Sequence, residues 1–230
     1  MPTVAPGGTQ HGRTNSQRRS EKLYPQTYAE RNAAGRWVAG LRRPFRIQHF
    51  AELSYHSAML IRPATPLDAH RIAEIHVASW RAAYRGLMAD ATLQNLSVER
   101  RTQTWSQELA KPTRDNVVIE VDGIVQGWAT FGPARDADVP TAAEVTGIYL
   151  DPACYHKGLG KALWLEISRI LTARQFPLLV VWVLAGNTSA RKFYEAMGGQ
   201  LDADSEKSWT GEGVVLMQVR YRFALPSRGL

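Results

Sequence analysis

Apolar and polar positions in residues 59–223 recur with two periods, and the switches between them mark the elements. Met59 to Arg62 reads as a short strand. Thr65 as a cap and Pro66 as the first helical residue then open a helix in which Ile72, Ile75, Val77, Trp80 and Tyr84 fall near helical spacing. A second helix follows Ser97, although Ser97-x-x-Arg100 lacks the acid of a full capping box. Val117 to Val121 and Ile124 to Phe131 are strands joined by Asp122-Gly123, a short hairpin signal. After these come a strand at Glu144, a helix opened at Gly158, a strand from Leu178, a helix from Asn187, and two late strands near Gln200 and from Val214 to Tyr221. This β-α-α-β-β-β-α-β-α-β-β order predicts an α/β fold: one mixed sheet with helices on its faces.

Composition divides the chain in two. Residues 1–58 hold nine Arg/Lys against three Asp/Glu and so carry +6 of the net +7, while the remaining 172 residues are close to neutral. The high pI therefore belongs to this segment and gives no nucleic-acid-binding face to the globular part. With no sustained apolar period, the segment reads as a disordered basic extension. It lacks the apolar core of a secretory signal, and its acid-poor, Arg-rich character also fits a transit peptide or a basic arm for RNA or a membrane surface. Nowhere is there an apolar run long enough to span a bilayer. The lone cysteine, Cys154, permits no internal disulfide and fits a reducing cytoplasm. No metal is expected: His11, His49 and His56 lie in the extension, and the six-residue spacing of His70 and His76 does not put them on one helical face.

The candidate chemistry centres on residues 144–163, where an apolar strand breaks at Asp151-Pro152 into a glycine-bearing loop that opens onto a helix. Gly158 and Gly160 sit at that helix start, where unpaired N–H groups and the positive end of the macrodipole face outward. Lys157 and Lys161 add charge on the same turn. No G-x-x-x-x-G-K-[ST] is present, and Leu163 stands where a dinucleotide fingerprint needs its third glycine, so neither a P-loop nucleotide nor NAD is indicated.

Twenty-seven residues beyond Gly160, the apolar strand Leu178 to Val183 is followed by N-T-S-A-R-K-F-Y-E-A-M-G. The two motifs together resemble the GNAT N-acetyltransferase superfamily, with its acyl-CoA loop R/Q-x-x-G-x-G/A and its N-x-x-A-x-x-F-Y-E-x-x-G helix. Tyr155 stands where the family usually has Arg or Gln, a departure that leaves the backbone amides of the loop in place. The resemblance covers residues 59–223. It implies a single mixed, mostly antiparallel sheet and acetyl-CoA as co-substrate, with residues 224–230 as a C-terminal tail. Met59 begins M-L-I-R-P-A-T as many members of that family begin, so residues 1–58 are read as an upstream extension from a misplaced start codon.

The resemblance also implies roles. The amides of His156, Lys157, Gly158, Leu159, Gly160 and Lys161 would hold the pyrophosphate. The strand at Ile148, Tyr149 and Leu150 would splay from its neighbour and pair with pantetheine, with Gly147 marking a bulge beside it. Asn187 would cap its helix and touch the pantetheine arm. Tyr194 would protonate the leaving thiolate, and Glu144, eleven residues before Tyr155, would serve as general base. Trp80, Tyr84 and Arg85, between the first two helices, would line the acceptor pocket. Relatives that acetylate a ribosomal protein N-terminus have Glu where this chain has Trp182, which argues against that acceptor.

The reading is a cytoplasmic N-acetyltransferase acting on a small-molecule or peptide amine without a covalent enzyme intermediate. No membrane or nucleic-acid partner is expected for the globular part, and a homodimer is left open. A CoA-binding sensor without turnover is the alternative. A basic-arm RNA-binding protein is the third reading, and it depends on residues 1–58 alone.

Overall fold

The computed structural model describes residues 27–31, 37–41 and 58–226, and the chain divides into two units, 1–54 and 55–230. In the first unit β1 (Thr27–Arg31) pairs antiparallel with β2 (Trp37–Leu41). The rest of the extension expected to be disordered lies outside the described residues, as do the last four residues of the chain.

The second unit follows the expected order with one short helix added. It runs β3 (Met59–Pro63), α1 (Ala69–Ala83), α2 (Asp90–Gln94), α3 (Val98–Ala110), β4 (Asp115–Val121), β5 (Ile124–Pro133), β6 (Ala143–Leu150), α4 (Leu159–Ala173), β7 (Leu178–Leu184), α5 (Thr188–Ala196), β8 (Gln200–Gly211) and β9 (Val214–Ala224). The sheet order is β3-β4-β5-β6-β7-β9-β8, and every pairing is antiparallel except β6 with β7. The domain runs slightly past its expected end: Leu225 is buried, and its N–H donates to the Pro177 carbonyl at 3.0 Å.

Each face of the sheet is covered by the apolar stripe of a helix pair. Ile72, Ala73 and Ile75 of α1 join Trp105 and Leu109 of α3 over Val118, Val125 and Trp128. On the other face, Leu163, Trp164, Ile167 and Leu171 of α4 pack on Phe131, Val145, Leu179, Val181 and Tyr221. Both α1 and α4 recur at three- and four-residue intervals, which is why one stripe of each is buried. Truncating a fully buried Leu163 or Ile167 to Ala is the kind of change that costs ~2–5 kcal/mol.

Two irregularities in the middle of the sheet create the site. Between β5 and β6 the register passes from Thr130↔Gly147 to Phe131↔Val145, which leaves Thr146 without a partner. Ala143 and Val145 face the α4 side, and because of this bulge Ile148 and Leu150 face it too, while Tyr149 turns to the α1 side. The expected bulge is thus present, one residue before Gly147. The second irregularity is the parallel ladder. It consists of Ala143↔Leu179, Glu144↔Val180 and Val145↔Val181, and then the strands part, although β6 runs on to Leu150 and β7 to Leu184.

Candidate active site

A cavity of ≈ 230 Å³ opens where β6 and β7 diverge. Its floor is Thr146 to Tyr149 on one strand and Trp182 to Leu184 on the other, with Asn187 and Tyr194 of α5 below and His76, Trp80 and Tyr84 of α1 above. Among the described residues, no Asp, Glu, Lys or Arg lines it.

Beside the cavity, Asp151 ends β6 by capping a short 3-10 turn: its Oδ1 accepts from the Ala153 N–H at 3.0 Å, and its Oδ2 accepts from Arg71 of α1 at 2.6 Å. The chain then turns through His156 (φ 61°) and Gly158 (φ 81°) into α4. Gly158 is the helix cap, its left-handed conformation suits glycine, and the space where a Cβ would stand is open to 4 Å. Among the described residues, no acceptor takes the amides of His156 to Lys161. A run of free amides at the positive end of a fifteen-residue helix fits a pyrophosphate by charge and by donor geometry. Gly160 lies against Phe193 and Leu150, at 3.5 and 3.6 Å from the place of its missing Cβ, so the loop, the end of β6 and α5 meet at one point.

Tyr194 lies beneath the splay, packed against Trp164, Phe193, Tyr221 and Phe223. Among the described residues its hydroxyl has no hydrogen-bond partner, and burial, with Tyr149 nearby, holds its pKa well above the ordinary tyrosine value. The phenol therefore keeps its proton at neutral pH and can donate it. Asn187 caps α5 by accepting from the Ala190 N–H at 3.1 Å and also lines the cavity.

On the α1 side, His76, Trp80 and Tyr84 share one helical face, and all three line the cavity. The Tyr84 and Tyr149 hydroxyls are hydrogen-bonded at 3.3 Å. His76 accepts at Nδ1 from the Trp105 Nε1–H at 3.3 Å, which puts the imidazole proton on Nε2. Burial, then the Arg101 charge, pushes its pKa down to about 3, so it is neutral at physiological pH and a weak base.

Glu144 and Arg85 are not brought to the cavity. Val145 faces the α4 core, so the Glu144 side chain leaves the opposite face of β6, toward the loop after β5. There it is 1% exposed, accepts from the Arg135 guanidinium, with Nε at 2.9 Å, and forms an ion pair with Arg114 at 3.8 Å. A carboxylate held between two guanidiniums and closed off from the cavity is not placed to deprotonate an amine, and this corrects the base assignment. Arg85 is exposed in the loop after α1 and does not line the cavity. Sequence reasoning passed over His76, Trp128, Met88, Trp209 and Gln218, all of which line it. The four-residue spacing of His76, Trp80 and Tyr84 carried a signal for the first of these.

A glycine-turned amide cradle beside a splayed parallel strand pair is the site of an acyl-CoA-handling α/β protein. Residues 69–199 match the model of the acetyltransferase (GNAT) family. The chain is 30% identical over 159 residues to the uncharacterized N-acetyltransferase YuaI of Bacillus subtilis, covering 69% of this chain and 89% of that one. Among solved structures, the PaiA N-acetyltransferase from Thermoplasma acidophilum, in complex with coenzyme A, superposes with a TM-score of 0.55 at 18% identity, over 72% of this chain and 99% of that one. The yncA protein of Salmonella typhimurium, with its cofactor acetyl-CoA, gives 0.53 at 21%, over 75% and 97%. The chain belongs to the GNAT acetyltransferase family, and by that membership it is an acyl-CoA-dependent N-acetyltransferase with acetyl-CoA as co-substrate. Among the described residues there is no cluster of three or more His, Cys, Asp or Glu that could hold a metal ion, and no helix long and apolar enough to cross a membrane.

Proposed function

We propose that this protein moves an acetyl group from acetyl-CoA directly to a primary amine within a ternary complex, with Tyr194 as the general acid. The observation that carries the reading is the end of the β6–β7 ladder at Val145↔Val181, with the unpartnered Tyr194 hydroxyl beneath it. Acetyl-CoA would lie with its pyrophosphate on the amides of residues 156–161 and its pantetheine along the free edge of β6, as an added strand does. Bound there, it supplies a thioester carbonyl open to attack. An N–H of Ile148 or its neighbours would polarise the carbonyl oxygen, the oxyanion-type contribution that is usually the largest in acyl transfer. Tyr194 would neutralise the departing thiolate.

With no carboxylate lining the cavity and with His76 weakly basic, the amine reacts as the free base rather than through a side-chain base. The half-buried Cys154, whose Sγ donates to Gln126 Oε1 at 3.2 Å, has no disulfide partner and suits a reducing cytoplasm.

The test is CoA release from acetyl-CoA against a panel of amines, with initial rates measured over both substrates. Intersecting reciprocal plots, and a kcat/KM that rises tenfold per pH unit up to the amine pKa, are the expected results. Parallel plots would mean a covalent enzyme intermediate. Tight acetyl-CoA binding with no release from any amine would leave a sensor.

A further inference from the structure

The walls of the cavity bear on which amine enters it. Trp80 on α1 and Trp182 on β7 both line it, and each ring already has a cation of this chain against it. The Arg101 guanidinium lies 5.1 Å from the Trp80 ring centroid, and the Lys207 ammonium lies 3.7 Å from that of Trp182, with Arg220 at 5.3 Å. These cations are compensated by carboxylates of this chain. Arg101 pairs with Glu212, Lys207 with Asp136, and Arg220 with Asp136, Asp138 and Asp202.

Asp136 touches this wall through the Trp182 indole and is not among the residues that line the cavity. It accepts from the Trp182 Nε1–H at 2.6 Å, from Lys207 at 2.9 Å and from Arg220 at 3.2 Å. Of the polar groups at the centre, Tyr84 pairs with Tyr149 and Trp105 with His76, while the Nε1–H groups of Trp80 and Trp128 and the Tyr194 hydroxyl, all neutral, have no partner among the described residues. Among the described residues, no charged side chain along the lining is left to neutralise a charge brought in by the acceptor. The rings of Trp80 and Trp182, which would attract a cation, already have Arg101 and Lys207 against them. A charge placed there has lost its water and gained no partner.

Resting on the acetyltransferase reading above, we infer that the acceptor is a compact monoamine with an apolar or aromatic body and no second charge of either sign. The cations stacked on Trp80 and Trp182 are the elements that turn away diamines and polyamines. The volume of ≈ 230 Å³, part of which the thioester end must take, sets the same limit on size.

The experiment compares three amines that differ only at the far end: butylamine, 1,4-diaminobutane and 4-aminobutanoate, each with the full-length protein and acetyl-CoA at one pH. Butylamine is expected to exceed both charged analogues in kcat/KM by at least about 10²-fold. Lys207→Met, at a position 40% exposed, uncovers Asp136 and is expected to improve the diamine relative to butylamine by about 3–10-fold. A diamine or aminobutanoate that equals or beats butylamine overturns the inference. A Lys207→Met protein with the wild-type ratio overturns the role given to the stacked cations.

If no amine releases CoA, the acetyltransferase reading is what has failed. The inference is then read by calorimetric titration of the three amines into CoA-saturated protein. Butylamine binding best supports it, and a charged analogue binding as well, or none binding, overturns it.

Discussion

The Glu144 carboxylate accepts from Arg135 three times, from the guanidinium Nε at 2.9 Å, from its Nη2 and from the backbone N–H at 3.3 Å, and so ties the loop after β5 to the start of the parallel ladder. Arg135 is 62% exposed while Glu144 is 1% exposed, so solvent screens one partner only. Glu144→Gln is therefore expected to reduce stability by ~1–3 kcal/mol in urea unfolding, by leaving the buried position short of its charge-assisted bonds. The shape of the pH–rate profile should stay as in the wild type. A rate loss confined to low pH would restore Glu144 as the base.

How the sequence could suggest that role and miss the placement is a matter of strand geometry. The count of eleven residues from Glu144 to Tyr155 is a distance along the chain and does not say which face the carboxylate leaves from. The bulge at Thr146 inverts the alternation partway along β6, and nothing in E-V-T-G-I-Y-L declares it except Gly147. Arg135 lies in an irregular connection with no period to read. By contrast, the loop from His156 to Lys161 was legible because strand, glycines and helix adjoin in sequence and the binding groups are backbone amides. The element order was legible because the periods of 2 and 3.6 are local. Trp209 illustrates the opposite limit: it reaches the cavity only because β8 pairs along β9 at the sheet edge, 48 residues past Lys161, a contact no local pattern reports.

Substitutions in the loop separate backbone from side chain. Gly158→Val places a β-branched residue at φ 81° in the middle of the amide cradle. Acetyl-CoA affinity should fall by on the order of 1–3 kcal/mol by calorimetry. Lys161→Ala keeps every amide and should cost less than that. Wild-type affinity in Gly158→Val would remove the loop from the site.

His76 gives the domain a pH dependence of known sign. Its folded pKa of about 3 lies below the ordinary value near 6.5, so the unfolded chain takes up a proton that the native state excludes. The contribution is intact above pH ~6.5 and is lost as pH falls toward 3, at up to about 1.4 kcal/mol per pH unit. His76→Gln keeps an acceptor for Trp105 and cannot titrate in this range, so its stability should decline less steeply between pH 6.5 and 4. Equal slopes for the two proteins in urea unfolding would show that His76 takes up its proton in the native state.

The central claim is that the Tyr194 hydroxyl protonates the leaving thiolate in the splay between β6 and β7, and Tyr194→Phe tests it most directly because one oxygen is removed and the packed ring is kept. The measurement pairs the rate of CoA release at saturating acetyl-CoA and butylamine, from pH 6 to 9, with the calorimetric affinity for acetyl-CoA. The account expects a rate about 10²-fold below wild type with affinity and melting temperature nearly unchanged. A variant that turns over at the wild-type rate across that range would contradict it.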